Sequence, residues 1–288
     1  MKINSIAPDE SNFLQIISGI ANAPKIVYFI GTLPAEKRGD VEAVAVVGTR
    51  KPSAYGKQVT FDLAYKLAKK GVIIVSGLAL GIDAIAHKAA IEAGGTTIAV
   101  LANGLDAVYP AAHRQLAKNI IDSGGAIISE YPPGTPARDF QFLARNRIVS
   151  GLSDAVIVTE AAARSGTLST VAHALEQNKD VFAVPGNITS PLSVGPNRLI
   201  QQGAYPVLAV DDILRVIAPN LSEPQMMLNL GTNPNEMLLI DLLRSGIQDG
   251  DALLRASQLD ASLFFQTLTM LEIQGLIKSL GGHQWVSV

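Results

Sequence analysis

Two basic side chains, Arg50 and Lys51, follow a glycine directly after an apolar run in the segment VAVVGTRKPSAYG (44–56). A second apolar run, in VIIVSGLALGIDAIAH (72–87), also ends in a glycine-rich loop. Backbone N–H groups of such loops bind anions, and basic side chains supply the opposite charge. The two loops therefore predict a phosphate site. Its candidate residues are Gly48, Arg50 and Lys51 in the first loop, and Gly77 and Gly81 in the second.

The segment DFQFLARNRIVSG (139–151) places aromatic and basic side chains in one short stretch. Its phenylalanines offer flat faces that stack on bases, and its basic and amide groups bind phosphates, a combination typical of single-strand binding. Taken alone, the segment also fits a helix with core phenylalanines and surface arginines. Phe140 is the first of the two phenylalanines, and the candidate residues are Phe142, Arg145, Asn146 and Arg147.

A further anion site is predicted after the apolar run AVIVTE (155–160). The residues that follow open a helix, and the N–H groups of a helix start attract negative charge. We expect four segments from the same sheet edge to surround one pocket. This last segment contributes Arg164, Ser165, Gly166 and Thr167.

The elements that position these residues alternate between apolar strands and helical patterns. The strand patterns are AVAVVG, VIIVSG, TTIAVLANG, GAIIS, AVIVTE and KDVFAVPGN. Their alternation predicts an α/β fold with a mostly parallel, doubly wound sheet, in which ligands bind beyond the carboxyl ends of the strands. Four parts are expected along the chain: a short ordered extension (1–40), the sheet domain (41–218), a linker (219–234) and a small C-terminal domain (235–288).

The C-terminal domain has three helical patterns, followed by two short apolar segments that flank Gly281 and Gly282. This order predicts a winged helix in which Asn235 and Asp260 act as N-caps. The third helix has no Lys or Arg between residues 260 and 277. Since DNA reading depends on cations, we expect a structural or protein-binding role for this domain.

The composition excludes several kinds of site. The 288 residues include no cysteine, which excludes disulfides, thiolate zinc sites and cysteine nucleophiles. The first residues lack the apolar region of a signal peptide, and no apolar run reaches the roughly 18 residues of a membrane span. We therefore expect a cytoplasmic protein without a membrane partner. The net charge is −2, but basic residues outnumber acidic ones between residues 41 and 217, so a local basic groove is compatible with it.

Candidate catalytic groups are few. The four histidines are scattered without metal-ligand spacing, and neither HExxH nor GxSxG occurs. Asp83 and His87 fit an i, i+4 contact at a helix start better than an acid–base pair. The loop GTRKPSAYG departs from the dinucleotide fingerprint GxGxxG. We therefore expect no metal, no cofactor and no catalytic residue.

Six segments between residues 44 and 204 resemble, in order, the motifs of the DNA processing protein family DprA, also called Smf. They are VAVVGTRKPSAYG, VSGLALGIDAIAH, TIAVLANGLDAVYP, ISEYPPGTPARDFQFLARNR, EAAARSGTLSTVAHALEQ and VFAVPGNITSPLSVGPNRLIQQGA. The resemblance implies an extended Rossmann-like fold that binds single-stranded DNA and loads the RecA recombinase onto it during natural transformation and DNA uptake. It also implies a homodimeric binding protein, not an enzyme.

The resemblance further implies roles for particular residues. The DNA pocket would use the loop that holds Gly48, Thr49, Arg50 and Ser53, the SGLALGID loop from Ser76 to Asp83, and the FLARNR segment. Arg50 would hold a phosphate, Phe142 would meet a base, and Arg145, Asn146 and Arg147 would line or support the groove. Many relatives have a basic residue where this chain has Asp139, and we expect the preceding Arg138 to take its place.

Two other functions fit parts of the same pattern. The segment AARSGTLST (162–170) resembles the PGGxGTxxE signature of the LOG group of nucleoside-monophosphate phosphoribohydrolases. Thr170 stands where that signature has its glutamate, and this argues against hydrolysis. The third hypothesis is a sensor of a phosphorylated small molecule, which would bind nucleotides and not oligonucleotides.

Overall fold

A computed structural model describes residues 2–36, 40–221 and 233–287 of the chain. Contacts divide the chain into two units, residues 1–222 and 223–288. Most of the predicted linker, residues 222–232, lies outside the described residues. The predicted division into four parts therefore stays a prediction.

In the first unit, the described residues form one sheet of nine strands. The strands are β1 (Asn4–Ile6), β2 (Val27–Gly31), β3 (Ala43–Val47), β4 (Ile73–Ser76), β5 (Thr97–Val100), β6 (Ala126–Ser129), β7 (Ala155–Val158), β8 (Asp180–Ala183) and β9 (Tyr205–Pro206). Their spatial order is β1-β2-β6-β5-β4-β3-β7-β8-β9. The seven strands from β3 to β9 are parallel, while β1 and β2 form an antiparallel edge beside β6. The predicted mostly parallel α/β sheet is confirmed.

Helices cover both faces of this sheet. They are α1 (Ala54–Lys69), α2 (Ile82–Glu92), α3 (Arg114–Asp122), α4 (Asp139–Gly151), α5 (Thr167–Glu176), α6 (Val194–Gln201) and α7 (Val210–Ile217). Short 3-10 helices span Pro8–Glu10, Leu14–Gly19, Ala111–His113 and Pro219–Leu221. No helix among the described residues combines the length and the hydropathy needed to cross a membrane.

The apolar strands are buried on both faces because successive side chains of a strand point to opposite sides. In β3, Val44 and Val46 face α1, α2 and α7, whereas Ala43, Ala45 and Val47 face α4, α5 and α6. Helix α3 covers the same face as α1 and α2. This two-sided burial explains why the strands read as unbroken apolar runs in the sequence.

The predicted extension is part of the same sheet. Besides β1 and β2, it contains a 3-10 helix over Leu14–Gly19. Phe13, Leu14 and Ile17 are fully buried in the core shared with α4.

The strand order reverses beside β3. The chain runs from β3 through β4, β5 and β6 on one side, and then returns so that β7 pairs with the other side of β3. The loops after β3 and β7 therefore leave the sheet in opposite directions. Open α/β sheets bind ligands in the crevice that such a switch point creates.

The second unit is a winged helix, as predicted. Its elements are α8 (Pro234–Arg244), α9 (Gly250–Ser257), α10 (Ala261–Ile273), β10 (Ile277–Gly281) and β11 (Gln284–Ser287). The antiparallel pair of β10 and β11 forms the wing. Gly281 and Gly282 both have positive φ values, 84° and 60°, a backbone conformation that glycine adopts without steric cost.

One of the two predicted helix caps is wrong. Asp260 caps α10, because its carboxylate accepts a hydrogen bond from Leu263 N at 3.1 Å. The cap of α8 is Asn233, not Asn235, and its Oδ1 accepts from Asn235 N and Glu236 N at 3.0 Å. Pro234 occupies the first helical position, where its missing N–H costs no hydrogen bond. The helix therefore begins at Pro234, two residues before the start that a cap at Asn235 would give.

His87 on α2 is fully buried and joins that helix to β5. Its Nδ1 lies 2.7 Å from Thr97 Oγ1, and this hydroxyl donates its proton to Ile74 O at 2.7 Å. Nδ1 must therefore be the donor, so the imidazole is the neutral Nδ1–H tautomer. Burial lowers the pKa of His87 to about 3, with smaller contributions from the positive charges of His113 and Arg145.

Acidification should destabilise the protein through His87. The unfolded chain binds a proton near pH 6.5, whereas the folded protein resists protonation until about pH 3. The contribution of His87 to the free energy of unfolding is therefore complete above pH 6.5. It is lost as the pH falls toward 3, at about 1.4 kcal/mol per pH unit. Urea denaturation of the parent and of His87→Leu, repeated between pH 8 and pH 4, measures this slope. A variant that loses stability as steeply as the parent below pH 6.5 would contradict the assignment.

Candidate functional site

A pocket of about 330 Å³ opens at the switch point between β3 and β7. It is formed by the loops after β3, β4 and β7 together with the first half of α4. Its lining residues are Val47, Gly48, Thr49, Arg50, Gly77, Ala79, Asp83, Phe142, Leu143, Arg145, Asn146, Val149, Ala162, Arg164, Ser165, Gly166, Thr167 and Thr170. The structure thus brings together eleven of the predicted site residues, from all four predicted segments.

Backbone hydrogen bonds join the loop after β3 to the residues that follow β7 and to the start of α2. Thr49 N donates to Glu160 O at 2.7 Å, and Ile82 N donates to Thr49 O at 3.2 Å. Gly48 permits this close approach, since a Cβ there would lie 2.6 Å from Ile82 Cγ1. Gly81 does not line the pocket, but its φ of +81° shapes the turn before α2.

A buried carboxylate that the sequence analysis did not single out holds the loop after β3. Glu160 is only 2% exposed. Its oxygens accept hydrogen bonds from Ser53 N at 2.9 Å and Ser53 Oγ at 2.5 Å. Ser53 Oγ in turn accepts from Gly56 N at 3.1 Å and so caps α1. Ser53 therefore lies behind the pocket wall, and the only sequence signal for Glu160 was its place at the end of a strand.

A buried charge pair supports the second loop from below. The Asp83 carboxylate accepts hydrogen bonds from Gly77 N at 3.0 Å and Ala79 N at 3.4 Å. Arg145, which is 4% exposed, donates to the carbonyl oxygens of Gly77 and Val100. Arg145 thus ties α4 to the loop after β4 and to β5. The hydrogen bonds of Asp83 and His87 run to these partners and to Thr97, so the expected i, i+4 contact is not what orders the start of α2.

Burial and mutual attraction act in opposite directions on this pair. Burial lowers the pKa of the Arg145 guanidinium to about 10, and the charge of Asp83 opposes the shift. Burial raises the pKa of the Asp83 carboxyl, and Arg145 and the backbone donors oppose that shift. The Arg145 guanidinium is consequently still a cation at neutral pH, with its hydrogen bonds committed to the protein backbone.

Aromatic rings mark the mouth of the pocket. The Phe142 ring lies beneath the guanidinium of Arg50, whose Cζ is 5.8 Å from the ring centroid. On another side, the centroid of Tyr109 is 5.3 Å from that of Phe142, with 48° between the ring planes. Tyr109 belongs to the quoted motif TIAVLANGLDAVYP, but sequence reasoning gave it no role. Phe140 is exposed and lies outside the pocket lining.

The wall opposite these rings is the start of α5. Ser165 Oγ accepts from Thr167 N at 3.3 Å, and Asn146 Nδ2 donates to Ser169 Oγ at 2.7 Å. The second of these bonds links α4 to α5, and the first is local to the start of α5. Arg164 is exposed beside this helix start, where the helix dipole also favours an anion.

Six predicted site residues lie outside the pocket lining. The best defined is Arg147, whose Nη2 pairs with Glu130 Oε2 at 2.6 Å and also donates to Asn22 O at 2.9 Å. Ser76 is buried and donates to Val46 O at 2.7 Å. Lys51 and Arg138 are exposed outside the lining. A direct nucleic-acid contact by these residues stays a prediction. The six are Lys51, Ser53, Ser76, Gly81, Arg138 and Arg147.

The described residues contain no group of three His, Cys, Asp or Glu side chains that could hold a metal ion. The lining of the pocket combines arginine side chains with the ring of Phe142. Arginine side chains bind anions, and aromatic rings stack on planar groups.

Comparison with known proteins identifies the family. A sequence model of DNA recombination-mediator protein A matches residues 4–218, and a model of the DprA winged helix domain matches residues 223–283. The chain belongs to the DNA recombination-mediator protein A family, also called DprA or Smf. The family expected from the six motifs is confirmed.

Individual relatives agree with this assignment. The chain is 41% identical over 211 residues to the DNA processing protein DprA of Bacillus subtilis, covering 73% of this chain and 70% of that protein. It is 50% identical over 171 residues to the protein Smf of Escherichia coli, covering 59% of this chain but only 46% of the relative. The match thus spans less than half of the Escherichia coli protein.

Two solved structures share the fold. DprA from Streptococcus pneumoniae superposes with a TM-score of 0.68 at 40% identity, covering 75% of both chains. DNA processing protein A from Helicobacter pylori superposes with a TM-score of 0.65 at 32% identity, covering 75% of this chain and 95% of that one. The second structure is described as revealing a single-stranded DNA binding mode of the Helicobacter pylori protein.

Removal of the Glu160 carboxylate should destabilise the protein. In Glu160→Ala the backbone N–H of Ser53 loses its acceptor, and an unsatisfied group of this kind costs about 1–3 kcal/mol. Urea denaturation measures the loss in free energy of unfolding. Glu176→Ala, on the exposed face of α5, is the matched control and should change stability by less than about 0.5 kcal/mol. Equal effects of the two substitutions would show that Glu160 does not hold the loop.

Proposed function

We propose that this chain binds single-stranded DNA in the switch-point pocket. The observation that carries the proposal is the placement of two exposed guanidinium groups, Arg50 and Arg164, in one pocket with the ring of Phe142. The ion pairs identified among the described residues involve neither guanidinium. Both groups are therefore available to a phosphate, whereas Arg145 is committed to the backbone.

The types of group in the pocket match the chemistry of a nucleotide, which joins a flat base to phosphates. A phosphate bound by Arg50 would lie next to the aromatic face of Phe142, because the guanidinium and the ring are already in contact. A second phosphate would find Arg164 beside the start of α5, where the helix dipole favours an anion. A base on Phe142 between two phosphate sites is the arrangement that single-strand binding uses.

The pocket favours binding over hydrolysis of a nucleotide. Thr170 lines the pocket at the position where the LOG signature places its glutamate. The carboxylate that does line the pocket, Asp83, accepts hydrogen bonds from Gly77 and Ala79 and lies beside Arg145. Its oxygens are thus used to shape the loop. We propose that the chain is a binding protein and not an enzyme.

Membership in the recombination-mediator family supports a role in DNA recombination. We propose that the chain acts as a cytoplasmic homodimer, loads the RecA recombinase onto the bound strand and serves natural transformation. A bound strand held by separate nucleotide-sized contacts stays accessible between them, which is what a loading factor requires.

The direct test is fluorescence anisotropy with a labelled single strand of about 35 nucleotides, with duplex DNA and mononucleotides as competitors at two salt concentrations. Tight, salt-sensitive binding that the competitors displace poorly supports the proposal. Absence of strand binding, with mononucleotides bound or hydrolysed, would favour the sensor or the phosphoribohydrolase instead.

Arg50→Ala should weaken strand binding at every sequence and reduce its salt dependence. Each phosphate contact on a single strand contributes about 0.7 to the slope of log K against log salt. The slope of Arg50→Ala should therefore be shallower than that of the parent by the value of one contact. Lys66→Ala removes an exposed cation near the opposite end of α1 and is the matched control. If both variants keep the parental slope, Arg50 does not bind phosphate.

The loading activity predicts a separate result. On a single strand coated with single-strand-binding protein, this chain should shorten the lag before RecA hydrolyses ATP, because it exposes a segment for RecA to occupy. Arg50→Ala should restore the lag, and Lys66→Ala should not. An unchanged lag in the presence of a strand-binding parent protein would separate DNA binding from RecA loading.

A further inference from the structure

The mouth of the pocket carries an aromatic side chain to which nothing above assigns a function. Tyr109 lies in the loop after β5 and is 49% exposed, a large fraction for a ring that also contacts Phe142. Exposed aromatic rings beside a cationic pocket are the surfaces on which bases stack. Tyr109 is therefore a candidate for contact with a part of the ligand that lies outside the pocket.

The loop that carries Tyr109 is held in place by buried hydrogen bonds. Asn103 is 2% exposed, and its Nδ2 donates to Gly104 O at 2.8 Å and to Ala107 O at 2.6 Å. Ser129 Oγ on β6 donates to Asn103 O at 2.8 Å. These bonds fix both ends of the turn that precedes the ring. A ring held in advance loses little entropy when a ligand binds to it.

A small niche connects Tyr109 with the phosphate site. The niche has a volume of about 60 Å³ and is lined by Arg50, Gly77, Ala79, Leu80, Tyr109, Pro110 and Phe142. It shares Arg50, Gly77, Ala79 and Phe142 with the switch-point pocket. Arg50 and Phe142 therefore border both cavities, and Tyr109 and Leu80 add apolar surface on the side of the loops after β4 and β5. A chain that alternates flat bases with phosphates fits a cation with an aromatic ring in each of two adjoining cavities.

We propose that Tyr109 is a second base-stacking platform, and that the strand leaves the pocket past Arg50 toward the loops after β4 and β5. The inference rests on the proposed binding of single-stranded DNA. A mononucleotide in the pocket would leave Tyr109 unused, whereas an oligonucleotide would engage both platforms. Tyr109 is thus a determinant of preference for a strand over a single nucleotide.

The test compares the affinity for a strand with the affinity for one nucleotide. The probes are a fluorescent oligothymidylate and unlabelled thymidine 5′-phosphate as its competitor. Tyr109→Ala should weaken strand binding about 5- to 150-fold, the range that stacking of one base supplies, and leave mononucleotide binding unchanged. Tyr109→Phe keeps the ring and should bind as the parent does. The salt slope should stay at the parental value, because no cation has been removed.

Tyr205→Ala is the matched control. Tyr205 is 47% exposed, and its ring also stacks on a phenylalanine, Phe182, at 5.2 Å. It lies on β9, away from the pocket lining. Its removal should leave strand binding within about twofold of the parent. Tyr109→Leu keeps an apolar side chain without the aromatic face, and it serves if Tyr109→Ala does not fold.

A site-specific signal locates the contact. 2-Aminopurine, placed at successive positions of the strand, loses fluorescence where it stacks on a ring. The parent should quench it at two positions, Tyr109→Ala at one fewer, and Phe142→Ala should remove the other.

Native strand affinity with unchanged quenching in folded Tyr109→Ala or Tyr109→Leu would overturn the inference while the proposed function stands. A parent protein that binds no strand would overturn both, and an equal loss of mononucleotide affinity in Tyr109→Ala would place Tyr109 inside the primary site.

Discussion

The pocket depends on a buried carboxylate, Glu160, which joins the loop after β3 to the end of β7. Backbone pairing between these strands ends at Val47 and Val158, and beyond that point the two loops diverge because the strand order reverses. The residue that bridges the gap uses both its main chain and its side chain, accepting from Thr49 N and from Ser53. Gly56 leaves the space that the carboxylate fills. Without this connection the sheet alone would not fix the loop that carries Arg50.

A second constraint is that arginines which look alike in the sequence have different contacts in the structure. Arg145 is buried and bonded to carbonyl oxygens, and Arg147 pairs with Glu130. Both stabilise α4, which carries Phe142. Arg50 and Arg164 are exposed in the pocket. The two arginines with protein partners thus keep the site rigid, and the exposed ones remain available to a ligand. A net charge of −2 says little about such a site, since the local arrangement of a few charges decides the binding.

The sheet and the loops around the pocket were predictable because apolar runs, glycines and helical periodicity are local signals. The partners of charged side chains were not, because they come from distant parts of the chain. Glu160 meets Ser53 across 107 positions, and Arg145 meets Gly77 across 68. The sequence around Tyr109 gave no local signal of its role either. The exposure of its ring depends on the conformation of a loop that the hydrogen bonds of Asn103 fix. The cap at Asn233 was missed by two residues because Pro234 favours the first helical position, a preference that competes with the hydrophobic pattern.

The size of the pocket constrains how a family member of this kind can hold a polymer. A cavity of about 330 Å³ is near the lower limit for ligand sites and encloses one small unit of a ligand. Affinity for a strand must therefore come from several modest contacts in and around the opening, each adding a base stack or a phosphate. An enzyme acting on the same unit would instead need to close the pocket and exclude water. The exposed guanidinium groups and the aromatic rim at the opening suit the first requirement, because a strand has to enter and leave the pocket along its length.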